Sequence, residues 1–333
     1  MMKHLKIALI TISSILITFG SIIGGFFIQG NCFLKSEPIK NINLNSWMKN
    51  IDDETLLNEV IIPGSHDSGT YGMSYLGETQ YLTIKEQLER GVRYFDLRVN
   101  KVKDKFKIYH SIINGVDFDP ILFDLLDFIK NNQTETLILD FQHFKNNSQE
   151  YVLKRINELF IDYAITNDKN VKDLEFISNL KIKDCRGKCL FLFGDNSKYT
   201  IDNSHIFKRN DDLDTHLDAS LDSYYYKDYH GLSSVEFINQ GLPTYIDLIK
   251  NKIDKTSFKG LFVLQGQLTD TKLIFGPYNK ERSHNDNMNE YINILKDKDY
   301  FHLINIVMRD FINEDKATDI IKLNNIKFNK DII

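Results

Sequence analysis

The chain has 333 residues, 41 Lys+Arg against 46 Asp+Glu for a net charge of −5, and 42% hydrophobic residues. That composition belongs to a folded chain with room for one large barrel or two ordinary domains, and it excludes an intrinsically disordered protein. The acidic balance, with no dominating Lys/Arg stripe, argues against nucleic acid as a partner, because a phosphate backbone rewards a basic surface.

In chain order, Lys3 and Lys6 precede an uncharged apolar run from Ile7 to Ile28. As a helix this run is long enough to cross a hydrocarbon core, and it exceeds the ~7–15 residues of a signal-peptide core. Residues 1–33 are therefore expected to be a signal anchor, or a cleaved signal peptide if Gly20, Gly24 and Gly25 mark a shorter core. Either places the remainder outside the cytoplasm, anchored or secreted. A lipoprotein reading of Cys32 is rejected, because Asn31 is a poor residue before such a cysteine.

Residues 34–333 carry no repeat, low-complexity tract or Pro/Gly/Ser linker, and read as one domain. Short apolar runs predict strands at Glu59–Ile62, Tyr94–Val99, Phe106–His110, Thr136–Phe141, Cys189–Phe193, Gly260–Leu264 and Leu303–Met308. A helix is expected from about Ile84 to Arg90, opened by Thr83 and Glu86 at capping-box spacing and stopped by Gly91. A second is expected from about Pro120 to Asn131, with Pro in its first turn and Ile121, Leu122, Leu125, Phe128 and Ile129 along one side. Residues 205–235 and 276–290, polar and aromatic-rich, read as loops. Cys185 and Cys189, four apart, read as buried thiols or a small-loop disulfide, and a single CxxxC is a weak metal signal.

Several strands run directly into titratable or polar residues: His66 and Asp67, Asp96 and Arg98, His110, Gln142 and His143, and Asp310. In a barrel of parallel strands such ends converge on one face, where barrel enzymes place their active sites.

The stretch Ile62-Pro-Gly-Ser-His-Asp-Ser-Gly-Thr-Tyr71 resembles the opening motif of the phosphatidylinositol-specific phospholipase C catalytic (X) domain. Gly91-Val-Arg-Tyr-Phe-Asp-Leu-Arg98, Ile108-Tyr-His110, Glu135-Thr-Leu-Ile-Leu-Asp140, Asp184-Cys-Arg-Gly-Lys188 and Ile306-Val-Met-Arg-Asp-Phe-Ile-Asn-Glu314 follow in the family's order. The resemblance to the bacterial members implies an α/β fold, a single irregular (β/α)8-type TIM barrel, here preceded by an N-terminal hydrophobic helix. It implies cleavage of an inositol phospholipid at a membrane surface, without metal or cofactor, to diacylglycerol and a cyclic inositol phosphate. His66 would be the general base and His110 the general acid; Asp310 would pair with His66, and Asp67 would support His110. Arg98 would contact the phosphate with Asp96 beside it.

These residue types suit the chemistry independently. Two imidazoles titrating near neutrality can take one proton and give another, and a carboxylate behind an imidazole fixes its tautomer. A guanidinium matches phosphate oxygens and stays charged. Calcium-dependent members carry an acidic ligand where this chain has Arg98. The resemblance breaks at the headgroup pocket. Gln142 stands where the bacterial enzymes place a lysine, and Phe193-Gly-Asp195 stands where they place basic residues, so Gln142 and Asp195 become the substrate-binding candidates. The run Asp140-Phe-Gln-His-Phe144 is closer to the X-domain-only subfamily. Two other readings stay open: a metal-dependent glycerophosphodiesterase-like barrel, and a non-catalytic phosphoinositide-binding module.

Overall fold

The computed structural model describes residues 43–168, 171–194, 203–209, 216–220, 260–267, 276–278, 281–282 and 301–333. Ten strands are described: β1 Ile62–Ser65, β2 Tyr94–Val102, β3 Lys105–His110, β4 Ile113–Asp117, β5 Thr136–Lys145, β6 Lys188–Phe193, β7 Ile206–Lys208, β8 His216–Ser220, β9 Leu261–Gln265 and β10 Ile306–Arg309. Their order is β7-β6-β5-β2-β1-β10-β9-β8, with every pair along that path parallel. β3 and β4 form an antiparallel hairpin on the end of β2. The result is the curled parallel α/β sheet of a TIM-type barrel. The expected N-terminal hydrophobic helix lies outside the described residues, and among those no helix is long and apolar enough to cross a membrane.

The helices are α1 Ile84–Glu89, α2 Phe118–Asn131, α3 Ser148–Leu159, α4 Asp173–Ser178, α5 Ile182–Cys185 and α6 Glu314–Phe328. The capping box at α1 forms as the spacing predicts. Thr83 Oγ1 accepts from Glu86 N at 3.2 Å, and Glu86 Oε2 accepts from Thr83 N at 2.8 Å. Gly91 follows the cap residue Arg90 at φ +91°, where a side chain would be strained and would meet Ile321. α2 begins two residues before Pro120, which still falls in the first turn, where backbone N–H groups have no helical partner. Its buried side (Phe118, Ile121, Leu122, Leu125, Phe128, Ile129) packs on the outside of the sheet. Each such side chain contributes roughly 1.5–3 kcal/mol when fully buried.

Alternation along the strands sorts the core into two clusters. On β5 and β6, Leu137, Leu139, Phe141, Cys189, Phe191 and Phe193 join the cluster under the helices. Ile138, Leu190 and Leu192 join the other, with Ile62, Tyr94, Ile306 and Met308. These even-numbered positions line the barrel interior. The register aligns Gly64 with both Tyr94 and Met308, Tyr94 with Ile138, and Asp96 with Asp140. Because side chains repeat every two residues, the next inward positions on β1, β2, β5 and β10 are residues 66, 96/98, 140/142 and 310. Gly64 makes room beneath them, since a Cβ there would lie 2.9 Å from the Tyr94 ring.

Several sequence expectations shift. Glu59 closes a 3-10 turn, Leu57–Glu59, and β1 starts only at Ile62. Leu303 ends another such turn, and β10 starts at Ile306. Residues 206–208 and 216–220, read as loop, are strands: β7 is too short for an alternation signal, and β8 carries polar residues. Cys185 and Cys189 are buried free thiols, so the disulfide alternative falls. His205, at the start of the segment read as loop, is buried and bonded to Asn157 at 2.7 Å.

Candidate active site

The site begins where the β1–β10 ladder runs out, beside the bulge in the β2–β5 ladder. Beyond Ser65 the chain turns sharply at Asp67, whose φ of +44° is a left-handed conformation that a non-glycine residue adopts at some cost. Asp67 N donates to Asp96 Oδ2 at 3.1 Å, which turns the Asp67 carboxylate toward the barrel mouth. On β2, Asp96 and Arg98 share the inward side, and Arg98 Nη2 bonds Asp96 Oδ2 at 2.9 Å. Arg98 Nε lies 2.7 Å from Asp67 Oδ1. A bulge opposite Leu97/Arg98 inserts Gln142, which places Gln142 Oε1 3.5 Å from Arg98 Nη2.

Both histidines present Nε2 to this cluster. His66 Nδ1 lies 2.7 Å from Asp310 Oδ1, so the carboxylate holds the Nδ1–H tautomer and leaves Nε2 free to exchange a proton. His110, at the end of β3, donates Nδ1–H to the Gly77 carbonyl at 3.0 Å and likewise turns Nε2 inward. His66 Nε2 and His110 Nε2 lie 3.3 and 3.6 Å from the same atom, Asp67 Oδ2. Arg98 Nη2 is 3.4 Å from His66 Nε2. Two imidazoles and a guanidinium thus gather around the Asp67 carboxylate, with Asp310 behind His66 and the Gly77 carbonyl behind His110.

The charges explain the titration. Burial alone would lower the His66 pKa, but the Asp67 and Asp310 carboxylates outweigh it and push the imidazole up to about 9. For Asp67, burial acts upward, and Arg98, His66 and His110 together outweigh it and hold the carboxyl down at about 2. Arg98, buried but flanked by Asp67 and Asp96, is held charged.

His66, Asp67 and Asp96 offer ligand atoms close enough together to suggest a cation site. The Arg98 guanidinium contacts both carboxylates, however, and places a fixed positive charge where the ion would sit. The donor set therefore does not fit a divalent cation.

Of the other candidates, Gln142 lies at the rim of the cluster, with Nε2 3.3 Å from Asp140 Oδ2. His143 is an exposed rim residue. Asp195 lies outside the described residues. The sequence reading assigned no role to Tyr94, Asp140 or Arg209, yet they form the floor. Asp140 Oδ2 accepts from Tyr94 Oη at 2.5 Å and from Arg209 Nε at 2.9 Å. Arg209 follows β7 directly, so the strand-end pattern would have exposed it had β7 been read as a strand.

A parallel barrel with paired imidazoles, a guanidinium and buried carboxylates at its C-terminal strand ends defines an acid–base site built around an anionic centre. Residues 54–192 match the family model described as phosphatidylinositol-specific phospholipase C, X domain. A 1-phosphatidylinositol phosphodiesterase of Listeria monocytogenes is 30% identical over 174 residues, covering 49% of this chain and 53% of the relative. A PI-PLC X-box domain-containing protein of Dictyostelium discoideum is 26% identical over 304 residues, covering 81% of this chain and 39% of the relative. The chain thus spans about half or less of the length of these relatives. The solved phosphatidylinositol-specific phospholipase C of Listeria monocytogenes superposes with a TM-score of 0.64 at 23% identity, over 85% of this chain and 99% of that one, and shows the shared fold.

Proposed function

We propose that this chain cleaves phosphatidylinositol, or a closely related inositol phospholipid, by a phospholipase C-type reaction that needs no metal. The observation that carries the reading is the pair of Nε2 atoms flanking Asp67 Oδ2 with Arg98 in the same cluster. Neutral His66 takes the proton of the inositol 2-hydroxyl through Nε2, and the resulting oxygen attacks phosphorus in line. Asp310 stabilises the imidazolium as it forms, as a carboxylate behind a catalytic imidazole does. Arg98 meets the phosphoryl oxygens as charge develops on them. His110, oriented through Nδ1 by the Gly77 carbonyl and with Asp67 Oδ2 beside Nε2, gives its Nε2 proton to the diacylglycerol oxygen as the P–O bond breaks. The products are diacylglycerol and cyclic inositol phosphate. Each positioned acid or base of this kind is typically worth ~10²–10⁴-fold.

A lipid surface suits this arrangement. Ile112 is 85% exposed at the tip of the β3–β4 hairpin, two residues from His110 on the leaving-group side. The last residue of β5 fixes that hairpin, since Lys145 Nζ donates to the Ser111 carbonyl at 2.5 Å. We also propose that the chain works outside the cytoplasm, on the strength of the apolar run at Ile7 to Ile28.

The test is ³¹P NMR of the purified protein with phosphatidylinositol and, in parallel, phosphatidylcholine micelles. A five-membered cyclic phosphate signal from phosphatidylinositol alone is expected. No cyclic phosphate from either lipid, under conditions where the protein is folded, would overturn the proposal.

A further inference from the structure

Gln80 is fully buried between β1 and α1 and touches none of the reacting groups. Its side chain nevertheless makes three hydrogen bonds to the backbone that carries His66 and Asp310. Nε2 donates to the His66 carbonyl and to the Arg309 carbonyl, both at 2.9 Å, and Oε1 accepts from Ile312 N at 3.0 Å. The amide orientation follows from its partners: two carbonyl oxygens can only accept, and a backbone N–H can only donate.

The position matters because ladder support ends here. The β1–β10 register stops at Ser65 and Arg309, and the last backbone link is His66 N to the Arg309 carbonyl at 3.1 Å. Asp310 lies one residue further on, and Phe311 adopts φ +43°, a strained left-handed conformation. Gln80 grips both sides of Asp310, at Arg309 and Ile312, and joins them to the carbonyl of His66. Its neighbour Thr79 completes the strap: the Thr79 carbonyl accepts from Phe311 N at 2.7 Å, and Thr79 Oγ1 donates to the His66 carbonyl at 3.2 Å.

We propose that Gln80 is a positioning residue for the reaction, clamping the backbone of His66 to that of the Arg309–Ile312 turn so that the Asp310 carboxylate stays aimed at His66 Nδ1. The inference rests on the acid–base reading above. Geometry of this kind is consequential, since a misplacement of about 1 Å costs on the order of 100-fold in rate. Nothing in the sequence marks Gln80, which lies outside every strand-end motif.

The test compares the wild type with Gln80→Met, which keeps the length of the side chain and loses all three hydrogen bonds. Thr83→Ala, in the same connection but acting only as the α1 cap, serves as a structural control. Gln80→Met is expected to lower kcat on phosphatidylinositol by about 10–100-fold with KM within about twofold. Its His66 ring, followed by ¹⁵N NMR, should titrate about one unit or more below the wild type. Thr83→Ala should lower the thermal midpoint and leave both readouts unchanged. A Gln80→Met protein that is less stable but has wild-type kcat and His66 titration would overturn the proposal. If that variant does not fold, the wild type still decides, because both Gln80 side-chain amide protons should resist exchange with solvent. Exchange at the rate of an exposed glutamine would refute the clamp. Should the wild type cleave no phosphatidylinositol while Gln80→Met still shifts the His66 titration, the clamp stands and the enzymatic reading falls.

Discussion

Replacing Asp310 with Asn separates the charge behind His66 from its shape. The carboxylate lies 2.7 Å from Nδ1 and is one of two that overcome burial to push the imidazole up to about 9, against an ordinary value of about 6.5. An opposite charge at this range is worth about 1–3 pKa units, so Asp310→Asn should bring His66 down by that amount. The variant thus holds more of its histidine in the neutral, basic form at pH 7. It should still be slower, because a neutral amide neither enforces the Nδ1–H tautomer nor stabilises the imidazolium; the expected loss in kcat is about 10²–10⁴-fold. Stability should fall by less than the ~3–5 kcal/mol of a stranded buried charge, because the imidazole can become neutral and Asp67 still faces it. The assay is ¹H–¹⁵N NMR titration of the His66 ring alongside the pH dependence of kcat/KM. An unchanged His66 titration, or wild-type turnover, would refute the reasoning.

Other outcomes follow from the same geometry. Arg98 already supplies the positive charge beside Asp67 and Asp96, so EDTA should leave turnover unchanged, and loss of activity restored by calcium would contradict this. At the opposite end of the barrel, Arg93 Nη2 and Glu135 Oε2 form a fully buried pair at 2.8 Å; Glu135→Ala should cost about 3–5 kcal/mol in chemical denaturation, and a loss below 1 kcal/mol would argue against a stranded guanidinium. The pH dependence of stability has a definite sign. His66 is raised on folding, so its contribution is complete below its unfolded pKa of about 6.5 and is lost as pH climbs through about 9. Asp67 is depressed, so its contribution is present above its unfolded value and is lost as pH falls toward about 2. The alkaline loss should be absent in His66→Ala.

Much of the barrel was legible because it announces itself in apolar runs that end in polar residues. Strands β2, β5 and β6 and helices α1 and α2 carry enough periodicity and capping chemistry to be read without coordinates. β7 and β8 are short or polar, and only their parallel neighbours reveal them. The grouping of His66, Arg98, His110 and Asp310 follows from strand ends and motif order; register supplies the reason for His66, Arg98 and Asp310, whose even-numbered positions continue the inward side of β1, β2 and β10, whereas His110 joins them from the β3–β4 hairpin. What the sequence hides is the support. Gln80 and Tyr94 reach the site through connections that no local pattern distinguishes from those of ordinary buried residues, and Arg209 stays hidden because β7, the strand it follows, is too short to be read.

The division of labour between the two imidazoles is tested most directly by varying the leaving group. Wild type and His110→Ala are compared on phosphatidylinositol and on an inositol nitrophenyl phosphate, whose departing oxygen needs no proton. His110→Ala should lose about 10²–10⁴-fold on the lipid and retain most of its activity on the nitrophenyl ester. Equal losses on both substrates would contradict a general-acid role for His110.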